Sequence, residues 1–193
     1  MPDAPNDFQL ALYYHRAGDF ENALRHYSAL LQKDELNAQA HNNLGLLYQD
    51  KGLLEESARA LRRATVIEPR NVRARNNYGV TLLKQKNIDG ALAEFRTALA
   101  LEPRNVDTLV NMALARKAEG QPDASRELLL QALSAAPRSA AAHYNLAVVN
   151  DETGEPERAL EHYRKFLENI SAEYADQAPA VRARIQALTS RQK

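Results

Sequence analysis

Apolar side chains return every three or four residues along most of this chain, the spacing that places them on one face of an α-helix. Between residues 38 and 50, for instance, Ala40, Leu44, Leu47 and Tyr48 alternate with His41, Asn42, Asn43 and Gln49. Turn residues break the pattern at a fixed interval. Pro69, Pro103 and Pro137 lie 34 residues apart, as do Pro122 and Pro156. Gly18, Gly52, Gly120 and Gly154 fall on the same lattice, with Lys86 in its one other slot. A period of this length marks a stack of similar units. The lattice predicts five, over residues 4–37, 38–71, 72–105, 106–139 and 140–171, beginning near Ala4, Ala38, Val72, Val106 and Ala140.

Each unit divides into two helices, A and B. Asn37, Asn71, Asn105 and Ser139 stand where a short polar side chain can accept from the unpaired N–H groups at the start of helix A. The lattice glycines end helix A, because a left-handed residue there costs glycine little. Pro122 and Pro156 fit the first turn of helix B, where a missing N–H does no harm. The first pair is expected over about Asp7 to Lys33.

Two rows of small residues let the helices approach: Ala11, Gly45, Gly79, Ala113 and Ala147 on helix A, and Ala23, Ser57, Ala91, Ser125 and Ala159 on helix B. Tyr27, Leu61, Phe95, Leu129 and Tyr163 form a row of large residues, expected to fill the space between neighbouring units. After Ile170 the lattice stops. From about Ala175 to Arg191, Val181, Ile185 and Leu188 share one face while Arg182, Arg184 and Arg191 lie elsewhere, the pattern of a helix that caps the last unit.

The segments HNNLGLLYQDKG at 41–52 and ALAEFRTALALEPRN at 91–105, with their counterparts in the other units, resemble the tetratricopeptide repeat over roughly residues 4 to 170. The resemblance implies an all-α fold, a right-handed α-solenoid of about five helix pairs plus a C-terminal capping helix, forming a single domain over 1–193. Two departures fall at the end of helix A. Arg116 and Asn150 replace the Tyr14 and Tyr48 of units one and two, and both are expected to tilt outward.

Composition narrows the function. Twenty-five Lys plus Arg balance 25 Asp plus Glu in 193 residues, so the general attraction to nucleic acid or an anionic membrane is missing. Neither nucleic-acid binding nor membrane insertion is expected. With no cysteine there is no thiol chemistry, and the redox compartment stays open. The chain as written is expected to be cytoplasmic, or periplasmic if an upstream signal has been removed.

Catalytic constellations are not found. His26 and His162 share one lattice position and His41 and His143 another, so these four read as repeat residues. The glycines occupy turns and close-packing slots, apart from Gly90, and form no phosphate loop. The acidic run of Asp151, Glu152, Glu155 and Glu157 lacks the ligand spacing of a calcium loop. No enzyme, no metal and no cofactor are expected.

The resemblance implies that helix A lines the concave side of the solenoid, which makes its outward positions the candidate site. One position holds Asn43, Asn77, Asn111 and Asn145, and the position three residues later holds Leu46, Val80, Leu114 and Val148. An amide matches the N–H and C=O of a peptide bond, and the aliphatic stripe can cover side chains. An equally open reading is that the asparagines bridge adjacent helices. Asn42, Asn76, Arg73 and Tyr144 complete the candidate groove. A clamp for a terminal carboxylate, the family's other binding mode, lacks its first lysine and last arginine here.

The expected partner is therefore a protein or peptide, held by an interaction scaffold. Two alternatives stand beside that. One is a structural factor that oligomerises or assists a pilus, secretin or membrane complex. The other is the substrate-selecting repeat domain of a larger enzyme, against which Met1 and the capping helix speak. Arg59, Arg62, Arg63, Arg70, Arg73 and Arg75 cluster in the middle and the fifth unit is acidic, so stacking into homo-oligomers is a further expectation.

Overall fold

The computed structural model describes residues 6–190, apart from the side chains of 172 and 173. Eleven α-helices are present among them. They run α1 (Asp7–Arg16), α2 (Phe20–Lys33), α3 (Ala38–Asp50), α4 (Leu54–Ile67), α5 (Val72–Lys84), α6 (Ile88–Leu101), α7 (Val106–Ala118), α8 (Pro122–Ala135), α9 (Ala140–Glu152), α10 (Pro156–Glu168) and α11 (Ala178–Ser190). A 3-10 segment, Ala172–Gln177, precedes α11. The starts of helix A in units two to five fall on the predicted residues. Ala4 and Arg191 lie outside the described residues.

Short polar caps account for these starts. Asn37, Asn71, Asn105 and Ser139 each accept from the backbone N–H three residues on, a bond that contributes about 0.5–2 kcal/mol. The first pair runs from Asp7 to Lys33 as expected, and α1 starts at Asp7, where Asn6 and Gln9 form a reciprocal capping box. At the other end all five A helices close alike. In α1, for example, Gly18 N–H donates to His15 and Asp19 N–H to Tyr14, which satisfies two otherwise orphaned carbonyls.

That closure needs a left-handed residue, and Gly18, Gly52, Gly120 and Gly154 supply it at φ between 73° and 78°. Lys86 does the same at φ 63°, where its Cβ crowds the backbone. Lys86→Gly is therefore expected to stabilise the protein by about 0.5–1 kcal/mol, the strain relieved exceeding the chain entropy that glycine adds to the unfolded state. A thermal melt checks it, and an unchanged or lower midpoint would mean that the lysine is not strained.

The helices fall into two compact units, one ending at Leu101 and the other beginning at Glu102. In the first, α1 packs on α2, α3 on α4 and α5 on α6, with α2 also against α3 and α4 against α5. In the second, α7 packs on α8, α9 on α10, α8 on α9, and α11 on α10. Every member of the two small rows and the large row is buried.

The large residues do more than fill the space between pairs. A Cβ placed on Gly45 would run into Leu61, and one placed on Gly79 would lie 2.5 Å from Phe95. The large side chain of helix B thus lies over the small position of its own helix A. Tyr27 also joins Leu44 and Leu47 of the following pair in one cluster. In the second unit Val181 and Leu188 of α11 close the cluster of Leu160, Tyr163 and Phe166, with Ile185 packed against it, as expected of a capping helix.

Candidate functional site

The A helices approach one another directly within each unit, α3 against α5 and α7 against α9. No two B helices of a unit approach to that extent among the described residues. Each unit is therefore tighter along its A side.

The two predicted stripes differ in how open they are. Leu46 and Val80 are half-buried in the first unit, as are Leu114 and Val148 in the second. Arg73 is exposed. Asn43 and Asn42 are only 7% and 5% exposed. Asn77 Nδ2 donates to Asn42 Oδ1 at 2.9 Å, and Asn42 Nδ2 donates to Asn43 Oδ1 at 3.1 Å. These three amides join α5 to α3. In α9, Asn145 Nδ2 donates to the Ala141 carbonyl of its own helix at 2.8 Å. Asn111 and Asn76 are half-buried and engaged in interactions of their own. Tyr144 is half-buried, its ring 5.3 Å from that of Phe166, so its inner face belongs to the core.

A second row of polar contacts runs along the ends of the A helices. His15 Nε2 meets Asp50 Oδ2 at 2.9 Å, Lys84 Nζ donates to Gln49 Oε1 at 3.0 Å, and Lys117 Nζ donates to Glu152 Oε1 at 2.7 Å. Each pair spans 35 residues, linking one A helix to the next. α11 ends the row differently. Arg184 donates from Nε and Nη2 to the two carboxylate oxygens of Asp151, both at 2.6 Å. Tyr163 donates its hydroxyl to the same carboxylate at 3.2 Å. Burial, and then the Asp151 charge, push the Tyr163 pKa well up, which keeps that hydroxyl a donor.

The repeat profiles settle what kind of chain this is. The tetratricopeptide-repeat profile matches residues 46–106 and 110–178, and a further repeat profile matches residues 12–52. The chain belongs to the tetratricopeptide-repeat family. No curated protein matches it in sequence. Among solved structures it is similar to PilW, a widely conserved type IV pilus biogenesis factor, at 24% identity and a TM-score of 0.79, covering 94% of this chain and 91% of that one. PilF of Pseudomonas aeruginosa gives 21% identity and 0.78, covering 94% and 86%. MamA of Desulfovibrio magneticus gives 20% and 0.73, covering 84% and 92%. At these identities the likeness extends to the fold, the tetratricopeptide-repeat solenoid.

Within a tetratricopeptide-repeat framework the histidines acquire a definite place. Residues 19 apart join helix A to helix B of one pair: Asp7 to His26 at 3.1 Å, Arg75 to Glu94 at 2.9 Å, and His143 to His162 at 3.1 Å. His41 Nε2, Arg75 Nε and His143 Nε2 each reach a carbonyl six residues back, on Glu35, Pro69 and Pro137. Lys33 and then His26 hold the Asp7 pKa down. These are structural bonds.

Asn150 departs from expectation. It is 2% exposed rather than tilted outward, because Arg126 of α8 donates to its Oδ1 at 3.0 Å while reaching Asp123, Thr153 and Glu155 as well. Arg116 is half-buried and holds Glu119 at 2.7 Å and Gln121 at 3.1 Å. Among the described residues no three His, Asp or Glu side chains group to hold a metal ion, and no helix is long and apolar enough to cross a membrane.

Sequence reasoning missed the row of contacts between A helices. Its signal is legible in hindsight as complementary residues 35 apart, such as His15 with Asp50 and Lys117 with Glu152. The 34-residue lattice drew attention to identical residues instead.

Proposed function

We propose that this tetratricopeptide-repeat protein is an interaction scaffold that holds an extended or helical segment of a partner polypeptide along its A helices. The observation that supports the reading is the tighter approach of the A helices within each unit, together with the half-buried state of the aliphatic stripe they carry. Leu46 and Val80, and in the second unit Leu114 and Val148, supply the apolar contact, with Arg73 an exposed cation beside them. The buried amides of Asn42 and Asn43 hold α3 and α5 at the spacing that the segment meets. A rigid, preformed surface lowers the ordering cost of binding.

The test is selection of peptides from a random display library on the wild-type chain, followed by fluorescence anisotropy on Val80→Asp with Val148→Asp. Both side chains are partly exposed, so the fold is expected to survive, as circular dichroism would show. A carboxylate in each apolar contact is expected to weaken the selected peptides about tenfold or more. Peptides that bind wild type and variant alike would place the binding surface elsewhere.

A further inference from the structure

The repeat itself shows what covers a helix A from the side of the preceding pair. Leu47 of α3 is fully buried in one cluster with Tyr27 of α2. Thr81 of α5 meets Ser57 of α4 at 3.0 Å. The same position holds Val149 in α9, 1% exposed. Three residues further along, Asp50, Lys84 and Glu152 bond the end of the preceding A helix. In α1 these two positions are Tyr13 and Arg16. Tyr13 is 66% exposed, and Arg16 makes no ion pair among the described residues. Together with Gln9, Leu12 and Ala17 they line a shallow depression of about 460 Å³.

The pair recurs in α11. Val181 and Arg184 stand 168 residues after Tyr13 and Arg16. Val181 is 3% exposed in the cluster of Tyr163 and Phe166, and Arg184 grips Asp151, which occupies the lattice position of His15, Gln49 and Lys117. The capping helix therefore sits on α9 and α10 as the A helix of a further unit would. α1 carries the same two features on a face left open.

We propose that the outer face of α1 docks on the α9–α10 end of a second copy, with Arg16 replacing Arg184 on Asp151 and Tyr13 replacing Val181 against Tyr163 and Phe166. Assembly is head to tail, and α11 is the competitor that holds it in check. The matched charge identifies the occupant: the arginine on α1 meets a carboxylate that this chain already uses to bind an arginine. Because α11 must give up its own buried contacts, the wild-type chain associates weakly. The proposal does not depend on what the A-helix row holds.

Sedimentation of the full chain over a range of concentrations tests it, with circular dichroism to confirm that each variant is folded. Arg184→Gln, which removes the bidentate pair holding α11, is expected to tighten self-association about tenfold. Adding Arg16→Glu and Tyr13→Ser in that background should restore the monomer. A mixture of wild-type chains with chains carrying both Arg16→Glu and Arg184→Gln should form pairs, since the double variant offers an α9–α10 end freed of the Arg184 pair and the wild type an intact α1. Two results overturn the proposal: an Arg184→Gln chain that stays monomeric at every concentration, or association that persists after Arg16 and Tyr13 are both replaced.

Discussion

Gly79→Leu is expected to lower the melting temperature by roughly 6–12 °C, corresponding to a loss of about 3 kcal/mol for a chain of this size. A Cβ at this position would lie 2.5 Å from Cε1, 2.8 Å from Cδ1 and 2.9 Å from Cζ of Phe95. That ring is fully buried between its neighbours, so it has no open rotamer to retreat into. The backbone of α5 must then move off α6, which opens the pair through its whole length. Ala93→Leu, at an exposed position on α6, serves as the control and should change stability by less than about 0.5 kcal/mol. Equal melting temperatures for Gly79→Leu and wild type would show that the pair is not as closely packed as described.

Mild acid is expected to loosen the second compact unit. His143 is 4% exposed, and its Nε2 must donate to the Pro137 carbonyl, which can only accept. In the neutral ring Nδ1 is then the acceptor, and His162 Nδ1 donates to it across 3.1 Å. One added proton can be shared by changing the tautomer of His162. A second leaves two N–H groups facing each other. Burial lowers the pKa of both rings below the ordinary 6.5, and His143 lowers that of His162 further. Glu161 and Glu168 oppose the shift of His143 and Lys165 reinforces it, while Arg126, Arg158 and Glu161 line the cleft beside His162.

The sign follows from which state takes up protons first. Unfolded histidines protonate near pH 6.5 while the folded pair resists, so stability is full above that pH and falls below it, levelling off once the folded pair has titrated. The slope can reach about 1.4 kcal/mol per pH unit for each proton. Melts between pH 7.5 and 5 should show the loss. His143→Leu with His162→Leu, which copies the Leu109 and Leu128 at these positions in the fourth pair, should remove it. An unchanged pH dependence in that variant would assign the acid sensitivity to other groups. The lowered carboxylates of Asp7, Asp19 and Glu161 act only at more acid pH.

The 34-residue lattice determined that the chain is a stack of helix pairs, their number and where the A helices start and stop, because these depend on local chemistry repeated five times. Asn37 and its counterparts cap whatever lies beyond, and a left-handed position at residue 86 is required even where lysine must fill it. The burial of Gly79 and Phe95 was legible for the same reason, since one close contact had to be solved in each unit. Whether an asparagine serves a ligand or a neighbouring helix was not legible. Asn43, Asn77, Asn111 and Asn145 look alike in sequence, yet Asn43 and Asn77 join through Asn42 while Asn145 bonds within α9. The lattice gives each residue the same position, but a hydrogen bond needs a partner at about 3 Å, and that partner belongs to another helix. Tertiary structure alone decided that Arg126 would draw Asn150 inward, that His143 would face His162, and that Arg184 would hold α11 on Asp151. Periodicity fixes which side of a helix is covered, whereas the bonds made there depend on side-chain reach and direction across the gap between helices, which no single segment of sequence contains.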